Sequence, residues 1–320
     1  MIDARDEELP GSLTSEFRRA KRLEWLTIAY LCADIVLVYL VLGGSQAVRA
    51  AWIESFLELI PPVVFLVSVR YMNRPPSRKF PYGLHRVTSV AHLCAGIALL
   101  FVGGFLLYIS ANSLLHPQPV SIGTLELFGL DIWRGWLMIA IMFDSIVAIL
   151  LGRAKRRPAR ALHDKVLDAD ADMNRADWLT AVAAIVGVLG IRFGLWWVDP
   201  VAAGFISLNI LMDGYRNSRI AVFDLMDMEP TLVGGETEDP LVVKVKDTLQ
   251  GLPWVAEVDL RSREEGRIYF FEAQVVPVDE RDLLDRLADA RDRVMALDWR
   301  VFSIGMTPVR ALDEERKKVA

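Results

Sequence analysis

The sequence predicts an α-helical membrane domain of six transmembrane helices followed by a small α+β domain. Of its 320 residues 53% are hydrophobic, yet 24% are charged, so the charges must be concentrated in particular segments. Six mostly apolar runs precede Asp224, and a membrane helix needs roughly 20 such residues. After about Asp239 the composition becomes that of a soluble domain, with alternating strands and an amphipathic helix.

The six helices are placed at the apolar runs in the first two thirds of the chain. Their predicted ranges are 25–42, 48–69, 87–115, 136–151, 171–197 and 200–215. The corresponding division of the chain is an N-terminal segment 1–22, a helical domain 23–224, a linker 225–238 and a C-terminal domain 239–320. The N-terminal segment lacks the apolar core of a cleavable signal peptide, so we expect no processing there.

The distribution of Lys and Arg predicts the orientation of these helices. Basic residues are concentrated in the N-terminal flank and in the loops after the second and fourth helices, with six of them between Arg153 and Lys165. The opposite loops hold little beyond Arg49, Arg134 and Arg192. Because short loops rich in Lys and Arg stay on the cytoplasmic side, both termini are predicted to be cytoplasmic. We expect a multi-pass protein of the inner, or plasma, membrane.

The C-terminal domain has the pattern of a ferredoxin-like fold. A helix is predicted at 240–250 and a second, amphipathic helix at 280–297. Strands are predicted at 255–263 and 267–276 around a turn at Glu264-Glu265-Gly266, and at 299–306. The order helix, strand, strand, helix, strand is typical of a split βαβ, ferredoxin-like layer.

Acidic residues occur inside the apolar segments, where they are unexpected. They are Asp34, Glu54, Glu58, Asp144, Asp172 and Asp177. A charged side chain at the bilayer centre costs about 2.5–3.5 kcal/mol on insertion scales. Asp172 directly follows a charged run and is expected to reach water at a helix end. The others must face the bundle interior, a water-filled cavity or a bound cation.

Glu54 and Glu58 lie one turn apart on one face of the second helix, so their carboxylates repel each other. No Lys or Arg is predicted within the apolar segments to neutralise them, which leaves a transported cation as the simplest counter-charge. Physical reasoning alone does not choose between a metal site and a proton site. Pro61-Pro62 predicts a kink just after this pair, either as a static bend or as a flexing point.

Several motifs, in their order and spacing, resemble those of the cation diffusion facilitator family of divalent-metal transporters. They are "KFPYGLHRVTSVAHL" at 79–93, "LDADADMNRADWLTA" at 167–181, "VDPVAAGFISLNILMDG" at 198–214 and "DLRSREEG" at 259–266. The family's transport site uses two residues four apart on the second helix and two on the fifth. The resemblance assigns these positions to Glu54, Glu58, Met173 and Asp177. Met173 departs from the family's usual His or Asp, so Asp172 or Asn174 is the candidate for the missing oxygen ligand.

The ligand set indicates which metal is transported. Zinc prefers His and Cys, whereas oxygen ligands suit Mn²⁺, Mg²⁺ and Ca²⁺ and are compatible with Fe²⁺. The predicted substrate is therefore Mn²⁺ or Fe²⁺ ahead of Mg²⁺, with no prosthetic group. The C-terminal domain contains no His or Cys, so regulation by metal binding there is expected to be weak or absent.

The resemblance also implies alternating access, with a proton moving opposite to the metal, and a homodimer paired through the C-terminal domains. Asp34 and Asp144 are candidates for a proton path or a second polar cluster. Two alternatives remain: a transport-inactive membrane scaffold of the same fold, and a proton-only pathway. An enzyme is not predicted, because the chain shows no nucleophile and base pair, phosphate-binding glycine loop or redox-cofactor motif. Nucleic-acid binding is not predicted either, because membrane topology accounts for the basic residues.

Overall fold

A computed structural model describes residues 10–11, 13–72, 77–116, 122–127, 130–234 and 237–312. The membrane-domain helices are α1 Thr14–Val41, α2 Gln46–Leu57, α3 Ile60–Met72, α4 Val87–Leu115, α5 Arg134–Met142, α6 Ser145–Ala161, α7 Lys165–Arg192 and α8 Val198–Leu225. The hairpin β1 Thr124–Leu127 and β2 Leu130–Trp133, which the sequence did not predict, joins α4 to α5. The C-terminal domain consists of α9 Pro240–Gln250, β3 Val255–Glu265, β4 Ile268–Pro277, α10 Leu283–Met295 and β5 Val301–Pro308.

These elements confirm the predicted architecture of a helical membrane domain followed by a small α/β domain. Within the described ranges, five helices or pairs of helices are long and apolar enough to cross a membrane, namely α1, α2 with α3, α4, α5 with α6, and α7. The remaining long helix, α8, has 28 residues like α1 and α7 but is not among these five. Two of the six passes are therefore broken helices.

The first break separates α2 from α3 at Glu58 and Leu59. The Glu58 N–H still bonds to the Glu54 carbonyl at 3.0 Å, but the helix does not continue, because Pro61 and Pro62 have no N–H to offer the preceding turn. The sequence predicted a kink just after the acidic pair, and the structure has the break at Glu58 itself. A second break at Phe143-Asp144 separates α5 from α6, and the sequence has no proline at this position that would predict it.

Glycines permit close packing of α4 against α8. A Cβ atom on Gly96 would lie 2.4 Å from the Ser218 Oγ, and one on Gly214 would lie 2.8 Å from the Leu100 backbone nitrogen. Both distances are shorter than side chains tolerate, so only glycine fits at these crossings. Small residues at helix crossings let membrane helices approach closely, as α4 and α8 do here.

The carboxylate of Asp199, the aspartate of the Asp-Pro motif, caps the start of α2 from α8. It accepts hydrogen bonds from the Ser45 hydroxyl at 2.5 Å, the Gln46 N–H at 2.6 Å and the Ala47 N–H at 3.2 Å. A negative charge at a helix N-terminus satisfies otherwise unpaired N–H groups and complements the helix dipole. This contact fixes one end of the helix that carries Glu54 and Glu58.

The C-terminal domain has the predicted element order, with three strands in the order β3-β4-β5. Strands β3 and β4 are antiparallel, whereas β4 and β5 are parallel and are connected through α10. The predicted turn at 264–266 is wrong by about two residues, because Glu265 still pairs with Ile268 and the turn is Gly266-Arg267. Gly266 adopts a positive φ of 70°, a conformation that glycine accepts without strain.

Charged contacts join the C-terminal domain to the loop between α6 and α7. Arg267 bonds to Asp164 at 2.5 Å, and Lys165 bonds to Glu264 at 2.7 Å. Burial raises the pKa of Glu264 to about 7, although Lys165 opposes that shift. In the same contact the Tyr269 hydroxyl lies 2.5 Å from the His163 Nε2. Burial, with Arg300 adding to it, lowers the pKa of His163 to about 4.

Candidate metal centre

Carboxylates from four helical segments line a cavity of about 50 Å³ between α1, α2, α6 and α7, which we call the acid cavity. The carboxylates are those of Asp34, Glu54, Glu58, Asp144 and Asp177. The two helix breaks both lie at this cavity, because Glu58 follows α2 and Asp144 precedes α6. The broken passes therefore bring acids from different helices to one level of the bundle.

Glu54, Glu58 and Asp177 form the side of the cavity between α2 and α7. The Glu54 Oε1 accepts a hydrogen bond from the Thr180 hydroxyl at 3.3 Å. Its Oε2 is buried, and within the described residues no hydrogen bond reaches it. Glu58 and Asp177 lie within hydrogen-bonding reach of each other, which requires a proton or a cation between them. This side of the cavity thus offers a buried acceptor and a pair of carboxylates to a cation.

Asp34 and Asp144 form the opposite side of the same cavity. The Ser55 hydroxyl donates to the Asp34 Oδ2 at 2.8 Å, and Asp34 lies within hydrogen-bonding reach of Asp144. The Tyr30 hydroxyl donates to the Asp144 carbonyl at 3.3 Å. Both candidates for a proton path therefore face the same cavity as Glu54, Glu58 and Asp177, from its opposite side.

Three further candidate ligands lie outside the acid cavity. Met173 lines a neighbouring, mostly apolar cavity that it shares with Leu57 and Pro61. Asp172 is at the surface, 2.6 Å from Arg156 and 4.0 Å from Arg216. Asn174 is buried and donates to the carbonyl and the carboxylate of Asp170 at 2.7 and 3.0 Å. Each has a contact that accounts for its present position, so a role in metal binding remains a prediction for all three.

A buried lysine was missed in the sequence. Lys155 was assigned to the loop after the fourth helix, and that assignment is wrong, because α6 continues to Ala161. Lys155 is 0% exposed and pairs with Asp170 of α7 and, at 3.5 Å, with Glu24 of α1. Its single ammonium group contacts both acids and does not line the acid cavity. Lys155 is one of six basic residues in this part of the sequence, and nothing in the sequence distinguishes it, the one that is buried, from the other five.

The acid cavity offers oxygen ligands, and neither His nor Cys is among its lining residues. Within the described ranges, no three acidic, His or Cys side chains converge closely enough to enclose an ion as they stand. Carboxylates without an ion repel one another, so binding of a cation would draw them together. The arrangement can hold a divalent cation or protons.

Comparison with known proteins extends this interpretation. The family model of the cation efflux transmembrane domain matches residues 25–226. The manganese efflux system protein MneS of Bacillus subtilis is 22% identical over 79% of this chain and 93% of its own length. The cation-efflux pump FieF of Shewanella oneidensis is 24% identical over 72% of each chain. The magnetosome protein MamB of Magnetospira sp. is 24% identical over 84% of this chain and 88% of its own length.

Proposed function

Because the chain belongs to the cation efflux family, a family of transporters and not of enzymes, we propose that it carries its divalent metal ion through the acid cavity. The observation that carries the proposal is the position of Glu54, Glu58 and Asp177 around one cavity, with the Glu54 Oε2 buried and unpaired among the described residues. Leaving such groups without a counter-charge in a membrane is costly, so a bound cation is the simplest partner.

The proposed substrate is Mn²⁺ or Fe²⁺ ahead of Mg²⁺, and not Zn²⁺. The cavity offers carboxylate and hydroxyl oxygens, the ligands that harder cations prefer, and lacks the nitrogen and sulfur ligands typical of zinc sites. The name of MneS, a manganese efflux protein, supports the same choice at a distance of 22% identity. Glu58 and Asp177 are proposed to bind the ion together, with Glu54 as the third ligand.

Proton exchange is proposed as the coupled movement. When the metal leaves, the repelling carboxylates regain stability by taking up protons, and metal binding releases those protons again. Asp34 and Asp144 face the same cavity and are proposed to deliver or receive them. The two broken passes are proposed to supply the bending that alternating access needs, since both breaks occur at the cavity.

The proposed setting is a homodimer in the plasma membrane with both termini in the cytoplasm. The distribution of Lys and Arg supports the orientation. In that orientation the C-terminal domain, which contacts the loop between α6 and α7, lies on the cytoplasmic side. Pairing of two C-terminal domains is proposed to rest on sheet and apolar contacts, since the domain has no His or Cys to bind a bridging metal.

A direct test is uptake of Mn²⁺ into inverted vesicles that contain the protein. We expect Mn²⁺ transport that dissipates a proton gradient and is abolished in Glu58→Gln, which keeps the size of the side chain and removes its charge. Zn²⁺ transport without any response to Mn²⁺ or Fe²⁺ would contradict the metal preference. Mn²⁺ transport that leaves an imposed proton gradient unchanged would contradict the coupling.

A proton-only pathway is the second candidate, because the contacts between Glu58 and Asp177 and between Asp34 and Asp144 each accommodate a proton. Thermal unfolding of the purified protein separates the two. The transporter proposal predicts that Mn²⁺ raises the midpoint in the wild type and not in Glu58→Gln. A midpoint that no divalent metal changes, in a protein that still conducts protons, would favour the second candidate.

A further inference from the structure

The break between α2 and α3 leaves two backbone carbonyls without their normal helical partners. In a continuous helix the carbonyls of Leu57 and Glu58 would accept from the N–H groups four residues on, but those residues are Pro61 and Pro62. In the part of the chain that the structure describes, no other backbone N–H donates to either oxygen. An unpaired carbonyl in a membrane interior costs several kcal/mol, so these two oxygens need a partner.

Helix geometry gives the direction in which these oxygens point. Carbonyls of a helix point towards its C-terminus, and both Leu57 in α2 and Glu58 with its φ of −65° and ψ of −16° follow helical geometry. The next residues in that direction, Ile60 and Pro61, line the cavity that also contains Leu57 and Met173. Glu58 itself lines the acid cavity. The free carbonyls therefore lie at the boundary between the two cavities.

We infer that the carbonyl oxygens of Leu57 and Glu58 are ligands of the transported cation. They supply the oxygen that the Met173 side chain does not provide. The cation is then held by the carboxylates of Glu54, Glu58 and Asp177 and by backbone oxygens exposed by Pro61-Pro62. This inference rests on the proposed transport of a metal through the acid cavity and adds to it the identity of the missing ligands.

The chemistry of these ligands bears on which cation is carried. Backbone carbonyls are neutral, hard oxygen donors, which suit Mn²⁺, Mg²⁺ and Ca²⁺ better than thiophilic metals. Unwound helix segments whose carbonyls coordinate a cation are a recurrent solution in membrane transporters. A site with three carboxylates and two carbonyls accommodates a harder cation without a fourth side-chain ligand, so Met173 is free to face the apolar cavity.

Restoring the two N–H groups tests the inference. In the double variant Pro61→Ala/Pro62→Ala both carbonyls gain helical partners, and we expect the equilibrium affinity for Mn²⁺ to fall about tenfold or more. The matched control is Pro158→Ala, which restores an N–H inside α6 away from both cavities and is expected to bind Mn²⁺ like the wild type. Wild-type affinity in the double variant, with transport slowed, would show that the prolines act only as a flexing point and would overturn the inference.

A second measurement detects the carbonyl ligands directly in the wild-type protein. Electron–nuclear double resonance of bound Mn²⁺ is recorded on wild-type protein that carries ¹³C at the backbone carbonyls of leucine or of glutamate. We expect a strong ¹³C coupling from directly coordinated carbonyls, and we expect it to vanish in the double variant. Bound Mn²⁺ without such a coupling in either labelled sample would overturn the inference.

Mn²⁺ binding by the variants distinguishes a wrong assignment of the carbonyl ligands from a wrong assignment of the metal site. If Glu58→Gln abolishes Mn²⁺ binding while the double variant binds like the wild type, the metal site stands and the carbonyl ligands do not. If the wild type binds neither Mn²⁺ nor another divalent cation, both fall together.

Discussion

The acid cavity and the Lys155 cluster both use α1, α6 and α7, to which the cavity adds α2, but only the cluster contains its own positive charge. We define the Lys155 cluster as Lys155, Glu24 and Asp170, from α6, α1 and α7. The cluster has two acids and its own ammonium group, fully enclosed. The acid cavity has five carboxylates and no basic residue among those that line it.

This difference separates a structural charge group from a binding site. In the Lys155 cluster each charged group has an oppositely charged partner within the protein, and removal of Lys155 leaves two carboxylates in the bundle without their cation. The acid cavity is complete only with protons or a cation from outside. The protein places the two arrangements about two turns apart on α7, at Asp170 and Asp177.

The largest effect is expected for Lys155→Met, which removes the internal counter-charge. Breaking a buried ion pair by removing one partner costs about 3–5 kcal/mol. We therefore expect a strongly lowered thermal midpoint for the purified protein. The control is Arg157→Met, because Arg157 is 76% exposed and pairs with Glu16 at 3.0 Å on the surface. Equal midpoints for the two variants would contradict the assignment of Lys155 as a structural cation.

The opposite response is expected in the acid cavity. Without metal, Glu58→Gln relieves repulsion between carboxylates and should raise the thermal midpoint, by about 2–4 °C for each 1 kcal/mol gained. Mn²⁺ at one hundred times its dissociation constant should stabilise the wild type by about 2.7 kcal/mol and leave the variant unchanged. If Glu58→Gln destabilised the metal-free protein as Lys155→Met does, the two regions would not differ in the way proposed.

A smaller effect is expected at Asp144, on the side of the cavity assigned to protons. Asp144→Asn keeps the carbonyl that accepts from Tyr30 and removes the acid next to Asp34. We expect Mn²⁺ affinity to stay within a few-fold of the wild type and the dependence of transport on pH to weaken, as measured by Mn²⁺ flux in vesicles between pH 6 and 8. Unchanged transport and unchanged pH dependence would make Asp144 structural.

The smallest effects are expected in the contact between the C-terminal domain and the loop before α7, where burial shifts the pKa of Glu264 and of His163 in opposite directions. The pKa of Glu264 is raised in the folded protein to about 7, so its contribution to stability declines as the pH rises from 4.5 to 7. The pKa of His163 is lowered to about 4, so its contribution declines as the pH falls from 6.5 to 4. The two contributions oppose each other in the wild type.

Single variants should therefore give opposite slopes. In His163→Gln only the Glu264 contribution remains, and the thermal midpoint should rise as the pH falls from 7 to 4.5. In Glu264→Gln only the His163 contribution remains, and the midpoint should fall as the pH falls from 6.5 to 4. Parallel slopes in the two variants would contradict the assignment of the two pKa shifts to this contact.

The sequence was sufficient where a residue stood out against its surroundings. Glu54, Glu58 and Asp177 interrupt apolar runs, so their cost in a membrane predicted that they face the bundle interior, a cavity or a cation, and the family resemblance placed them in one site. The alternation and the helical period of the C-terminal domain likewise predicted its five elements in order. In each case a strong local signal agreed with the tertiary arrangement.

Other features of the membrane domain could not be predicted, because they depend on contacts between residues that are distant in the sequence. Lys155 is one of six basic residues between 153 and 165, and only the path of α6 distinguishes it from the exposed Arg157. The break at Phe143-Asp144 has no proline, so its cause lies in the packing around the cavity. The departure of Met173 from the acid cavity follows from the geometry of α7 against the interrupted second pass, which spacing alone does not give.

The cap on α2 has a consequence for biogenesis. The hydroxyl and N–H groups at its start have their acceptor in Asp199, which is 154 residues after Ser45 in the chain. The second pass therefore enters the bilayer before its cap has been synthesised and is completed only when the last pass inserts. A nascent chain that ends before α8 lacks the acceptor for these three donors at the start of its second pass.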